Sequence, residues 1–284
     1  MRLDRMGSMH QSRLSFLRQF LRRASKENWK FNRDLFEINS NGVGRALYRF
    51  STPLRDYTLI CFSHDLPDEM RSDRVIASAW DATFTLYDGK PALDDLERLE
   101  KHVPYQEDGR LTQNELCLSR ANRSVRLWDY VLDCLSNGNQ PDPDRVRDVG
   151  YLMRTTAVYG SGKFGSADRR VVENREEANS PFQLEMMTVY LIRTFVMDLI
   201  EYLAKIKNPD KAVRLDSSIK RSFGVGNSTG LGMAPFLVNH PRLIHNWFEA
   251  KENAIATVKN LQTATQVEIS KFQELVSRLK PHLK

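Results

Sequence analysis

Apolar residues alternate in the first third of this chain and recur at helical spacing from Pro91 onward, and that switch of period limits the backbone each part can adopt. From Gly44 to Phe50 the alternating set is Ala46, Tyr48 and Phe50. Ser51 to Pro53 with Arg55 and Asp56 reads as a turn, and Tyr57 to Phe62 is a dense aromatic and β-branched run. Such composition favours paired strands, here a hairpin. Val75 to Tyr87 is also strand-like, with Phe84 and Leu86 set against Thr83, Thr85 and Tyr87 before the turn pair Asp88-Gly89. The spacing predicts three or four antiparallel strands over residues 33–90.

Beyond Pro91 the spacing predicts helices. Leu93, Leu96 and Leu99 mark a short one. Ser119 is placed to cap a second that carries Val125, Trp128, Val131, Leu132 and Leu135 and stops at Asn137-Gly138. Asp142-Pro143 opens a third, with Val146, Val149, Met153 and Ala157 on one face and Gly160 as its end. Ser180-Pro181 opens the longest, running to about Lys207 before Asn208-Pro209. His240-Pro241 opens another, and the last starts near Thr265. The expected fold class is therefore α+β, mostly α-helical, with a bundle-like helical core and a small antiparallel sheet in the N-terminal third. The expected parts are a basic amphipathic helix at 1–32, a β segment at 33–90 and a helical domain at 91–284 that forms one compact unit with that segment. The chain stops soon after its last helix, which allows a longer parent chain, and a homo-oligomer is also allowed.

At 284 residues, with 41% hydrophobic and 27% charged side chains, the chain can bury a sizeable core without disulfides or metals. Cys61, Cys117 and Cys134 are far apart and lie in apolar or amphipathic runs, so they read as reduced core thiols. No stretch reaches the roughly 20 apolar residues needed to cross a bilayer, and the N-terminus lacks an apolar signal core. These features favour the cytoplasm.

The net charge of +6 comes from the N-terminal arm. Arg2, Arg5, Arg13, Arg18, Arg22, Arg23, Lys26 and Lys30 face only Asp4 and Glu27 there, and the rest of the chain carries equal numbers of both signs. Leu14, Phe16, Leu17, Phe20 and Leu21 give that arm an apolar side. It can dock on the body of the protein, on anionic lipid or on nucleic acid, or act as a presequence, and docking on the body is the ordinary use of such a helix.

Four places could carry chemistry. Gly160-Ser-Gly162-Lys163-Phe-Gly165, followed by Asp168, Arg169 and Arg170, offers backbone N–H groups and cations for a phosphate or carboxylate. Its spacing is not that of a Walker A loop, and the helical reading places it after a helix rather than a strand. The run Gly224-Val-Gly226-Asn227-Ser228-Thr229-Gly230-Leu-Gly232 comes near the dinucleotide fingerprint, but its final spacing is one residue too long and no βαβ unit is legible around it. Its glycines allow close backbone approach to an anion, or tight packing of helices.

On the longest predicted helix, Gln183, Thr194, Asp198, Glu201 and Lys205 share one polar sector while Glu185 projects on the apolar side among Phe182, Met186, Val189 and Ile192. A carboxylate there must be paired, with Arg154 or Arg193 for instance, or bound to ligand, or protonated. Burial raises its pKa toward the range useful for acid–base work. Among the histidines, His64-Asp65 with Asp68-Glu69, and His240 with His245, lack the spacing of a known metal motif, so no metal is expected, and no motif assigns a cofactor.

The leading functional expectation is an enzyme acting by acid–base chemistry on an anionic small molecule that bears phosphate or carboxylate. Arg154, Lys163 and Arg169 would bind the anion. Gly224, Gly226, Asn227, Ser228, Thr229 and Gly230 would cradle it, and Glu185 or His240 would move the proton. The alternative is a non-catalytic interaction or regulatory module. Nucleic-acid binding through the basic first helix is the weakest of the three, because the charge beyond it is balanced.

Overall fold

The structure, a computed structural model, describes residues 20–65, 67, 80–101, 112–160, 175–178, 183–227, 249, 252–253, 255–257 and 266–279. It divides into two compact units, Met1–Pro235 and Phe236–Lys284.

Among the described residues of the first unit, seven strands form one sheet in sequence order: β1 Lys30–Ile38, β2 Gly44–Ser51, β3 Asp56–Ser63, β4 Ala82–Asp88, β5 Glu115–Arg123, β6 Tyr151–Gly160 and β7 Gly224–Asn227. Neighbours from β1 to β6 pair antiparallel, and β7 runs parallel to β6. The helices are α1 over residues 20–26, α2 Leu93–Glu100, α3 Trp128–Ser136, α4 Pro143–Val149, α5 Gln183–Lys207 and α6 Ser217–Lys220, with a 3-10 turn at Glu176–Ala178. The second unit contributes α7, Gln266–Leu279. No helix among the described residues is long and apolar enough to cross a membrane.

This arrangement overturns the expectation of a mostly helical chain with a small sheet. The sheet continues past residue 90 through β5 and β6, in the stretch read as helical. Ser119, expected to cap a helix, lies inside β5, whose middle carries buried Ser119, Arg120 and Asn122 where a strand signature needs apolar residues. The helix begun by Asp142 and Pro143 stops after Val149. Gly150 adopts a left-handed φ of +76° and its N–H returns to the Val146 carbonyl at 2.7 Å, so Met153 and Ala157 belong to the next strand. Their helical spacing from Val149 was coincidental.

Both faces of the sheet are covered. Phe195 of α5 meets the rings of Tyr48 and Phe84 edge-on at 6.2 and 5.7 Å, and Tyr190 meets Phe31 and Phe50 at 5.8 and 5.6 Å. On the opposite face, Leu96 and Leu99 of α2 pack with Ile60, Phe62 and Tyr87. Strands buried on two sides lose the polar alternation that marks a half-exposed strand, as β3, β4 and β5 do. From α1, Phe20 is fully buried between Trp29 and Phe50. Cys61 and Cys117 are buried free thiols, whereas Cys134 is only half-buried.

The β1–β2 hairpin turns on Asn39, whose side-chain oxygen accepts the N–H groups of Asn41 and Val43 at 2.9 and 3.0 Å. Gly44 follows at φ +146°, and a Cβ there would lie 1.9 Å from the Glu37 carbonyl oxygen. β1 is a sheet edge, exposed over most of its length and bulged between Arg33 and Leu35.

Phe195→Ala leaves a cavity between two layers and is expected to cost about 3–5 kcal/mol, and Gly44→Ala is expected to break the hairpin register. Urea unfolding midpoints check both, with exposed Leu54→Ala as a reference expected to change stability by under about 0.5 kcal/mol.

Candidate functional site

Two parallel neighbouring strands need a long crossover between them, and here α5 supplies it. β6 runs to Gly160, α5 returns antiparallel to it, and β7 pairs with β6 through Tyr151 and Gly224, Arg154 and Gly226, and Thr155 and Asn227. The segment beginning at Gly160 therefore follows a strand, not a helix. The first two glycines of the second Gly-rich run lie inside β7 rather than in a turn after a strand, which sets it further from the dinucleotide fingerprint. A βαβ unit surrounds it nonetheless.

β6 and β7 therefore run the same way, β6 to Gly160 at one end of the sheet and β7 only to Asn227, opposite Thr155 at the middle of β6. The first Gly-rich segment begins at that end. α5 starts at that end as well. Leu152 and Met153 share a small void with Ile192 and Val196; from Met153 to Gly160 the strand rises about 23 Å, and from Val196 back to Gln183 the helix spans about 20 Å. Gln183, Glu185 and Thr188 are all buried in this first part of α5, Glu185 at 7% exposure. Thr188 donates to the Leu184 carbonyl at 2.8 Å. The Gln183 side-chain oxygen has no hydrogen-bond partner among the described residues, although the residue stands in what reads as the helix's polar sector.

The remaining assigned residues separate. Arg193 spends its guanidinium on the Phe223 carbonyl, at 2.6 Å, and the Lys220 carbonyl, and so does not serve Glu185 in those bonds. Its burial lowers its pKa. Phe84 marks the α5 side of the sheet, and the pairings Ser63–Ala82–Ala121–Thr155 carry that side across to Thr155. Arg154, next in sequence, starts from the opposite face to Glu185. Gly224, Gly226 and Asn227 form β7, while Lys163, Arg169, Ser228, Thr229, Gly230 and His240 lie outside the described residues.

A latch that the sequence did not reveal holds the approach to α5 at this same end. Glu177, 2% exposed, accepts from the Tyr57 hydroxyl and from Arg55 at 2.7 Å. Arg175 meets Asp88 at 2.5 Å, and Arg23 donates to the carbonyls of Glu176 and Glu177 at 2.7 and 3.0 Å. Burial, then the bond to Glu177, pushes the Tyr57 phenol up. Only the run Arg175-Glu176-Glu177 hinted at it, and such runs usually decorate solvent-facing turns.

A second buried polar set closes the opposite end of the sheet. The His64 N–H donates to the Asp81 carbonyl at 2.7 Å, the Asp81 carboxylate accepts the Arg123 N–H at 2.6 Å, and Arg123 lies over the Trp128 ring at 5.0 Å. Arg120 stacks on Trp80 at 4.5 Å. Among the described residues no trio of His, Cys, Asp or Glu is placed to hold a metal. Comparison with protein-family models, with curated proteins and with solved structures yields no match to the chain.

Burial lowers the His64 pKa from 6.5 to about 4. Between those values the unfolded chain takes up a proton that the folded chain refuses, so stability falls as pH drops through this window and is fully present above it. Compared with His64→Gln, the wild type is expected to lose about 2 kcal/mol more between pH 7 and pH 4, read from urea titrations at each pH.

Proposed function

We propose that the protein binds a phosphate- or carboxylate-bearing small molecule where β6 and β7 end, and that Glu185 acts there as an acid–base group. One observation carries the reading: the β6–α5–β7 crossover directs β6 and β7 the same way, toward the end of the sheet at which the Glu185-bearing start of a long helix lies. Carboxyl ends of parallel strands are where open α/β sheets receive ligands, and the first turn of a helix directs unpaired N–H groups and a positive dipole end outward. Gln183 adds a buried amide oxygen without a described partner, a group that a ligand's donor would satisfy.

In this reading Gly226 and Asn227, with Ser228, Thr229 and Gly230 next along the chain, offer close backbone approach. Lys163 and Arg169, on the segment after β6, neutralise the anion. The buried Glu185 carboxyl is the group that would protonate or deprotonate a bound substrate. His240 remains the other proton-transfer group assigned by the sequence. Melting curves with pyrophosphate, nucleoside phosphates, coenzyme A esters and carboxylates test the proposal. A ligand at a hundredfold its Kd stabilises by about 2.7 kcal/mol, and that gain should vanish in Lys163→Ala and Glu185→Gln. A panel without any hit, or a hit that both variants retain, removes the reading.

A second reading, a module that docks a protein partner, is favoured by α7. Ile269, Phe272 and Val276 recur at spacings of three and four on this helix and are all exposed, Phe272 at 60%, the pattern of a helix-pairing seam. If that seam pairs copies of the chain, Phe272→Asp should raise the dimer dissociation constant at least tenfold in sedimentation equilibrium without changing the melting of the first unit.

A further inference from the structure

The outward side of α5 does not simply face water. With the edge strand β1 and the stretch 212–220 it bounds a groove of about 700 Å³, within the size range of small-molecule sites. Its charges do not balance. Four cations line it, Arg33, Lys205, Arg214 and Lys220, against two carboxylates, Asp198 and Glu201.

Both carboxylates are already engaged. Asp198 accepts from Arg33 at 3.0 Å and from the Tyr48 hydroxyl at 2.7 Å, and Glu201 accepts from Lys220 at 2.6 Å and from the Leu215 N–H at 3.0 Å. Lys205 donates to the Pro209 carbonyl, which leaves its charge uncompensated, and Arg214 has no acidic partner among the described residues. The groove thus keeps a surplus of two positive charges. Its wall is aromatic: Phe31 is 38% exposed, and Phe36 packs edge-on against Tyr202 at 5.4 Å. From Glu185 to Thr194 the helix advances about 13 Å, so this groove begins well away from the end of α5 discussed above.

We infer that this groove is a separate binding site for a ring-bearing dianion, a flat apolar ring carrying phosphate. The ring would cover Phe31 and its neighbours, and the phosphate would sit between Lys205 and Arg214. The two lysine and arginine heads recognise the same group differently: Arg214 offers a planar donor fork and Lys205 a point charge. The inference is independent of the reading at the ends of β6 and β7.

Isothermal titration with adenosine monophosphate, adenosine and inorganic phosphate tests it on the full chain. Adenosine monophosphate should bind at least tenfold more tightly than either fragment. Lys205→Ala combined with Arg214→Ala should weaken it at least tenfold and steepen no other property, because both side chains are exposed and the melting temperature should stay that of the wild type. Phe31→Ala should lower affinity for the nucleotide and leave that for phosphate unchanged. Absence of nucleotide binding at millimolar concentration, binding untouched by the double variant, or phosphate alone binding as tightly as the nucleotide would each overturn the inference.

Discussion

The rest of the first unit depends on the way α5 lies across one face of the sheet. Its inner side supplies Phe195, Ile192, Leu199 and Ile200 to the core, and no other described element contacts so many strands of the sheet. Because it links β6 to β7, it also forces those two strands to run the same way. A hairpin in its place would have sent β7 in the other direction. The candidate site is thus a product of connectivity first and of side-chain chemistry second.

The helix is fixed in rotation as well as in position. Asp198 on its outward side takes the Tyr48 hydroxyl, which reaches it from the sheet, and Tyr202 donates to the Ile38 carbonyl at 2.7 Å. Burial, followed by the nearby Asp198 carboxylate, pushes the Tyr48 phenol well above its ordinary range, so it stays a donor. A turn of the helix about its axis would break these bonds and leave polar groups buried without partners, a cost of about 1–3 kcal/mol for each. The same rotation sets Glu185 inward and Lys205 outward, so one lock governs both binding proposals.

How much of this was legible in the sequence depended on how many sides of each segment are wet. β2 alternates and was read correctly, and the start of α4 was fixed by Asp142, whose carboxylate accepts the Asp144 N–H at 2.8 Å. α5 and the inward aim of Glu185 followed from helical spacing alone. β5 escaped because burial on two sides, with polar residues such as Arg120 held by stacking on Trp80, erases periodicity, and β6 escaped because Met153 and Ala157 continue a helical spacing from Val149. The parallel pairing of β7 was illegible for a different reason: four residues, two of them glycine, carry too little side chain to declare a strand. Without β6 and β7 nothing in the sequence showed that the two Gly-rich segments are reached from strands that run the same way.

Among the described residues the sheet is open, and its two borders are guarded in different ways. β7 is only four residues long, and β1, though nine, presents Lys30, Arg33 and Asp34 along an exposed, bulged length. A strand from another molecule approaching β1 would meet unlike charges out of step and a ladder interrupted midway, which disfavours edge-on accretion into larger β assemblies. The irregularity between Arg33 and Leu35 therefore does double duty: it returns Phe36 rather than Leu35 to the α5 side, against Tyr202, and spoils the template that a flat border would offer to a second chain.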